Sequence, residues 1–219
     1  MIRFRLFGFP VTVEPWHWAI LAFLGGALSV RDSEQLLPVL LFMVAGFVSV
    51  LIHELGHALT MRLFGCRHIA IVLNGFGGIA VSKGARFTRG QQILVSLAGP
   101  FLQAACGLLV LAALIIGDEV GWTGGTVGLM SDFFIYVSLA WAILNLIPVY
   151  PLDGGQALNG VLGPLRIELT LRISMIAAIV AGAGIFFVFK SILFPMFMVF
   201  FAIENYKALK RVQSPSGPW

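Results

Sequence analysis

The sequence predicts an all-α multi-pass membrane protein, because its composition is strongly apolar and its apolar residues fall into long runs. Hydrophobic residues make up 59% of the 219 residues, and charged residues make up only 11%. Soluble globular chains carry about 25% charged residues, so this chain lacks the polar surface that would keep it dissolved. A helix needs about 20 apolar residues to cross a bilayer, so the length allows about six crossings. The same composition excludes disordered, collagen-like and coiled-coil chains.

The charged residues also argue against a nucleic-acid partner. Fourteen Lys and Arg residues against ten Asp and Glu residues give a net charge of +4. A basic chain can indicate nucleic-acid binding when its cations form a patch or stripe. Here the cations lie in the gaps between apolar runs, so we expect a lipid bilayer and no nucleic acid around this protein.

The apolar runs define six predicted transmembrane helices. They cover residues 16–30, 36–64, 91–116, 133–149, 167–189 and 191–205. After the second of them, residues 69–73 and 79–81 predict two short strands of a small β-hairpin, with a further hairpin predicted within residues 1–15. Residues 1–206 are therefore expected to form a single transmembrane domain, followed by a short cytosolic tail at 207–219.

The basic residues predict the orientation of this domain in the cell membrane. When the N-terminus is placed in the cytosol and the spans alternate, twelve of the fourteen Lys and Arg residues lie on the cytosolic side, and only Arg31 and Lys190 lie outside. Such a bias orients multispan proteins, so both termini are predicted to be cytosolic. The last two spans join directly at Lys190 and Ser191, and a single re-entrant element there would move the tail to the other side.

The second span contains the strongest chemical motif, His53-Glu54-Leu55-Gly56-His57. Two histidines four residues apart on a helix lie on one face, one turn apart, and can bind one zinc ion. The adjacent Glu54 can take a proton from a water molecule. A carboxylate in an apolar span costs on the order of 3 kcal/mol, so such residues generally face a cavity and serve a function. The motif therefore predicts a zinc site.

A catalytic zinc ion needs a third protein ligand and an open position. One candidate is His68, in the basic loop after the zinc helix. The better-placed candidate is Asp153, which lies where prolines and glycines must interrupt a helix. Unwound backbone at membrane depth is tolerated only where it lines a cavity or is buried in protein. Asp153 also suits the N-cap of the helix that follows, and the two roles are compatible. His17, between two tryptophans, is typical of an interfacial residue rather than a ligand.

With these motifs the chain resembles the site-2 protease family of intramembrane zinc metalloproteases. The resemblance depends on the His53–His57 motif in a span and on Asn145-x-x-Pro148-x-x-Pro151-Leu152-Asp153-Gly154 about ninety residues later. It implies that His53, His57 and Asp153 bind one zinc ion and that Glu54 is the catalytic base. It also implies that Asn145 positions the substrate or stabilises the oxyanion.

Two further features complete the comparison with this family. Its central Gly-x-x-x-(small or Asn) motif corresponds to Gly99-Pro100-Phe101-Leu102-Gln103, and for the unusual Gln103 the sequence favours a role in helix packing. The gaps between spans are too short for the PDZ or CBS domain that many relatives carry, so a minimal form is expected.

The resemblance implies a protease that cuts single-span membrane proteins within or near their transmembrane segments. The predicted strands at 69–73 and 79–81 either offer an edge to an extended substrate or simply cap the helices. The alternative is a membrane metal-binding or transport protein that uses the same ligands. Transporters usually contain internal repeats, and this sequence shows one ligand set and no repeat.

Overall fold

The computed structural model describes residues 1–118, 124–190 and 192–214. The helices are α1 (Pro15–Leu24), α2 (Leu36–Leu63), α3 (Arg89–Asp118), α4 (Gly125–Leu146), α5 (Asp153–Leu162), α6 (Ile167–Phe189) and α7 (Leu193–Gln213). The strands are β1 (Ile2–Leu6), β2 (Phe9–Val13), β3 (Ile69–Asn74) and β4 (Gly77–Ser82). Ser191, at the predicted join of the last two spans, and residues 215–219 of the predicted tail lie outside the described residues.

Four helical stretches among the described residues are long and apolar enough to cross a membrane. They are Ser33–Leu63, Arg89–Gly117, Gly125–Leu146 and Pro164–Val188. Large apolar side chains point outwards from them, as Leu109, Ile143 and Val180 do with about two thirds of their surface exposed. Such side chains need an apolar solvent, so the protein is a membrane protein.

The remaining two predicted spans differ from the observed helices. α1 has ten residues, about 15 Å of helix, which is half of the roughly 30 Å hydrocarbon layer. α7 continues to Gln213, beyond the predicted boundary at residue 206. The count of six spans therefore stays a prediction.

The chain divides into two compact units, and the first comprises Met1–Arg86 with Ala98–Ala142. Its four strands form one sheet in the order β1-β2-β3-β4. β1 and β2 form an antiparallel hairpin that turns at Phe7 and Gly8, both with positive φ, as a two-residue turn requires. β2 pairs in parallel with β3, and β3 pairs antiparallel with β4. The two predicted hairpins thus belong to a single sheet.

The inner face of this sheet is apolar and buried. Val11 and Val13 of β2 alternate with exposed or half-buried neighbours, as do Ile71 and Leu73 of β3. This two-residue period is the pattern of a sheet with one buried face. Both β3 and β4 contact α2, so the sheet lies against the helix that carries the histidine motif.

The second unit comprises Phe87–Leu97 with Ile143–Trp219. α6 ends at Lys190, which adopts the left-handed conformation, and α7 begins at Leu193. Val149, Ala178 and Met198 are fully buried at the centre of this unit. Because Val149 belongs to the interruption between α4 and α5, the core of α6 and α7 holds that interruption in place.

Candidate metal centre

Helix α2 brings both histidines of the motif to one buried point. The side chains of His53, Glu54 and His57 are each less than 10% exposed. The Nε2 atoms of His53 and His57 lie 3.1 Å apart. Two nitrogens on a tetrahedral zinc ion, each 2.0–2.1 Å from the metal, would be about 3.3 Å apart. The two nitrogens are therefore already close to the separation that binding one zinc ion requires.

The other ring nitrogen of His53 contacts a residue of α3. His53 Nδ1 lies 2.9 Å from Gln103 Oε1, and Gln103 Nε2 donates a hydrogen bond to Ser49 Oγ at 2.8 Å. Ser49 Oγ lies 2.9 Å from Ser138 Oγ of α4. The sequence favoured helix packing for Gln103, whereas the structure shows it bonded to a candidate ligand. The missed signal was an amide in an apolar span, where polar groups are costly and serve a function.

Three glycines bring backbone close to the motif. A Cβ atom on Gly99 of α3 would collide with the His57 ring, and one on Gly78 of β4 would collide with the Glu54 side chain. A Cβ atom on Gly56 would lie 2.5 Å from the carbonyl oxygen of Ala98. Only glycine allows these approaches, so α3 and β4 can pass directly beside the motif.

Asp153 is presented by the interruption between α4 and α5. It is buried and is the first residue of α5, while Leu152 occupies the N-cap position that the sequence considered for Asp153. Pro151, which follows a cis peptide bond, lies just before it. A Cβ atom on Gly154 would collide with the carbonyl oxygens of Leu146 and Ile147. The first turn of α5 thus folds tightly back on the end of α4.

Hydrogen bonds from α6 and α7 secure this interruption. The backbone nitrogen of Tyr150 donates to Ser174 Oγ at 3.0 Å. The carbonyl oxygen of Tyr150 accepts a hydrogen bond from Asn205 Nδ2. Backbone groups freed by a break in a membrane helix must find such partners, so these two side chains stabilise the unwound segment.

The structure groups three of the predicted residues. His53, His57 and Asp153 are all buried, and each offers one ligand atom within 4.8 Å of the other two. Two imidazoles and one carboxylate form a set that can hold a metal ion. Asn145, near the end of α4, is also buried.

The other two histidines lie elsewhere. His68 is exposed and lines a cavity of about 460 Å³ with Arg62 and Arg67. His17 is buried, and its Nδ1 lies 3.0 Å from the carbonyl oxygen of Asn74. His17 therefore supports the end of β3 and is more enclosed than the interfacial position that the sequence suggested.

Comparisons with known proteins identify the class of this protein. Residues 20–152 match the model of the Peptidase M50B-like family. Because this match covers more than half of the chain, the protein belongs to that family of peptidases. The family predicted from the two motifs is thereby confirmed.

Individual relatives fit this assignment. The chain is 33% identical over 171 residues to the "Putative zinc metalloprotease sll0528" of Synechocystis, covering 71% of this chain and 42% of that protein. It is 27% identical over 165 residues to the "Zinc metalloprotease MJ0392" of Methanocaldococcus jannaschii, covering 73% and 44%. It therefore spans less than half the length of these two relatives.

A solved structure shares the fold. The site-2 protease from Methanocaldococcus jannaschii superposes with a TM-score of 0.60, covering 95% of this chain and 94% of that one, at 22% identity. At this identity the likeness concerns the fold alone.

Proposed function

We propose that this protein is an intramembrane zinc metalloendopeptidase that hydrolyses peptide bonds within or near the transmembrane segments of single-span membrane proteins. His53, His57 and Asp153 hold the zinc ion, Glu54 is the general base, and Asn145 contacts the substrate. The observation that supports this most directly is a buried His, His and Asp group in a chain with four span-length helices.

The donor set suits a catalytic zinc ion rather than a structural one. Structural zinc sites close with four protein ligands, whereas catalytic sites use three and leave a position open. The bound ion supplies Lewis-acid polarisation of the scissile carbonyl and makes water acidic enough to react at neutral pH. The proton transfer and the stabilisation of the oxyanion are assigned to the side chains around the ion.

We assign the proton transfer to Glu54. It follows His53 directly on α2, so its position is fixed by the same helix. As general base it accepts a proton from the attacking water and delivers it to the amide nitrogen of the departing fragment. The side-chain amide of Asn145 can donate a hydrogen bond to the oxyanion that develops on the carbonyl. Glu54 lies nine residues, or about 14 Å, from the end of α2, within reach of water from the cytosolic side.

The exposed edge of β4 is the proposed docking site for the substrate. Among the described strands β4 pairs only with β3, so its other edge carries backbone groups that a further strand can bind. Gly78 of β4 lies so close to Glu54 that a Cβ atom there would collide with the Glu54 side chain, and an added strand would lie about 4.8 Å beyond β4. Extended peptides bind free sheet edges in this way, and extension also exposes the peptide bond that a helix shields.

Photo-crosslinking tests the β4 edge. A benzoylphenylalanine at the position of Ile79 in β4 should crosslink a single-span substrate held by the uncleaving Glu54→Gln variant. The same group at Ile2, on the opposite edge of the sheet, should not. Equal crosslinking at both positions would contradict the docking site.

In the membrane we propose six crossings with both termini in the cytosol, α1 and α7 supplying the first and last. The distribution of basic residues supports this orientation. Labelling of a cysteine added after residue 214 by a membrane-impermeant reagent from the cytosolic side would check it.

The base assignment has a direct test. Glu54→Gln keeps the size of the side chain but removes its ability to accept a proton, so cleavage of reconstituted single-span proteins should fall by about 10²–10⁴-fold. Zinc content should remain at one ion per chain. The matched control is Glu34→Gln, since Glu34 is an exposed carboxylate near the start of α2, and it should cleave like the wild type.

Two results would contradict the proposal. Full cleavage by Glu54→Gln would exclude Glu54 as the base. Zinc movement across vesicles that Glu54→Gln leaves unchanged, together with no chelator-sensitive cleavage in a panel of single-span proteins, would instead favour metal transport.

A further inference from the structure

We infer that Gln103 is a positioning residue that fixes the tautomer and the ring orientation of His53. This inference rests on the proposed function, because it concerns a ligand of the proposed zinc ion. The sequence resemblance gives Gln103 no such role, since the corresponding family position carries a small residue or Asn.

The observed orientation of the Gln103 amide sets the direction of its hydrogen bonds. Its amide nitrogen donates to Ser49 Oγ, so its amide oxygen is the atom that faces His53 Nδ1 at 2.9 Å. An amide oxygen can only accept. The hydrogen of the neutral His53 ring must therefore reside on Nδ1.

This tautomer leaves the lone pair of His53 on Nε2, the nitrogen that lies 3.1 Å from Nε2 of His57. A metal-binding histidine usually donates its other ring N–H to an oxygen acceptor, which fixes the tautomer and makes the ligand nitrogen more basic. Gln103 is in position to be that acceptor. The contact therefore keeps His53 in the tautomer that can bind a metal ion through Nε2.

The burial of Gln103 argues against helix packing as its only role. Gln103, Ser49 and Ser138 are all fully buried. A buried amide without hydrogen bonds costs free energy, whereas methionine or leucine would fill similar volume without that cost. Packing alone thus gives no reason for an amide at this position, but a need for a hydrogen-bond acceptor does.

The network also ties the ring to three helices. Ser49 lies one turn before His53 on α2, Gln103 belongs to α3, and Ser138 belongs to α4. Ser49 Oγ and Ser138 Oγ are 2.9 Å apart, so Ser49 can accept from Gln103 while sharing a hydrogen with Ser138. Ser49 and Ser138 therefore hold the Gln103 amide in its orientation, on the side away from His53.

The test measures zinc affinity of the purified full chain by competition with a chelator, independently of cleavage. Gln103→Met should bind zinc about 10–100-fold more weakly, the usual effect of losing such a partner. Gln103→Glu keeps an oxygen acceptor at the same reach and should bind within about threefold of the wild type. Ser49→Ala, a smaller change, should also weaken binding. The unfolding temperature of each metal-free variant reports whether the fold itself has changed.

Several results would overturn the inference. Wild-type affinity in folded Gln103→Met would do so, as would an equal loss in Gln103→Met and Gln103→Glu, which would mean that shape matters and the acceptor does not. If Gln103→Met fails to fold, wild-type zinc affinity in Ser49→Ala would also overturn the inference. A wild-type protein that binds no zinc would instead refute the proposed function.

Discussion

The two segments that supply the candidate ligands are built in opposite ways. Helix α2 carries His53 and His57 on regular backbone, and from Ser49 to Ala58 every residue except Ile52 is buried. The segment before Asp153 is irregular and contains two prolines, followed by two glycines at the start of α5. A regular helix places its side chains by local geometry alone. An irregular segment has no such rule and takes its shape from whatever surrounds it.

The difference extends to the backbone hydrogen bonds. In α2 the backbone groups bond within the helix, as the apolar medium requires. Around Tyr150 they depend on Ser174 and Asn205, from α6 and α7. The position of Asp153 is therefore sensitive to changes in distant helices, whereas the two histidines depend mainly on α2 and on their immediate neighbours.

The largest expected effect comes from removing the ligand that the irregular segment presents. Asp153→Ala should lower zinc affinity by more than about 100-fold, beyond the loss that follows from removing an outer partner. His68→Ala, the matched loss of the rival candidate, should leave affinity unchanged because His68 is exposed and outside the ligand group. Zinc content after dialysis against a weak chelator measures both. The reverse result would make His68 the third ligand.

Replacing one glycine beside each segment with alanine should have a smaller effect, and that effect should differ between the two segments. Gly154→Ala places a methyl group against backbone carbonyl oxygens, which cannot move aside, and should lower the free energy of unfolding by about 1–3 kcal/mol. Gly99→Ala places it against the His57 side chain, so zinc affinity should fall more than stability does. The controls are Gly184→Ala and Gly90→Ala, where nothing lies within 4 Å of the new methyl group. Thermal unfolding in detergent and zinc titration distinguish the cases, and equal stability losses in Gly99→Ala and Gly154→Ala would break the comparison.

Much of the fold and of the candidate site could be predicted because those features follow a few simple rules that act between residues close in sequence. Long apolar runs predicted the span-length helices, and the spacing of His53 and His57 predicted that their rings would lie on one face of the helix, one turn apart. Both depend on residues close in sequence. The predicted strands at 69–73 and 79–81 likewise followed from short-range pattern and correspond to β3 and β4.

Other features could not be predicted because they depend on residues far apart in the chain. The parallel pairing of β2 with β3 joins residues about sixty positions apart. The contact of Gln103 with His53 spans fifty positions, and a glutamine in an apolar helix gives no indication of which partner it will meet. The length of α1 was also misjudged, since an apolar run does not reveal where its helix ends.

What the amino-acid order determined by itself is a membrane-embedded chain of peptidase type with two imidazoles and a carboxylate on one helical turn. Periodicity and solvent preference suffice for that, because both act within a few residues. Only the tertiary structure decided which side chain lies against Nδ1 of His53 and which strand passes beside Glu54. These are distances between separate elements. They depend on how the side chains of many residues pack against one another.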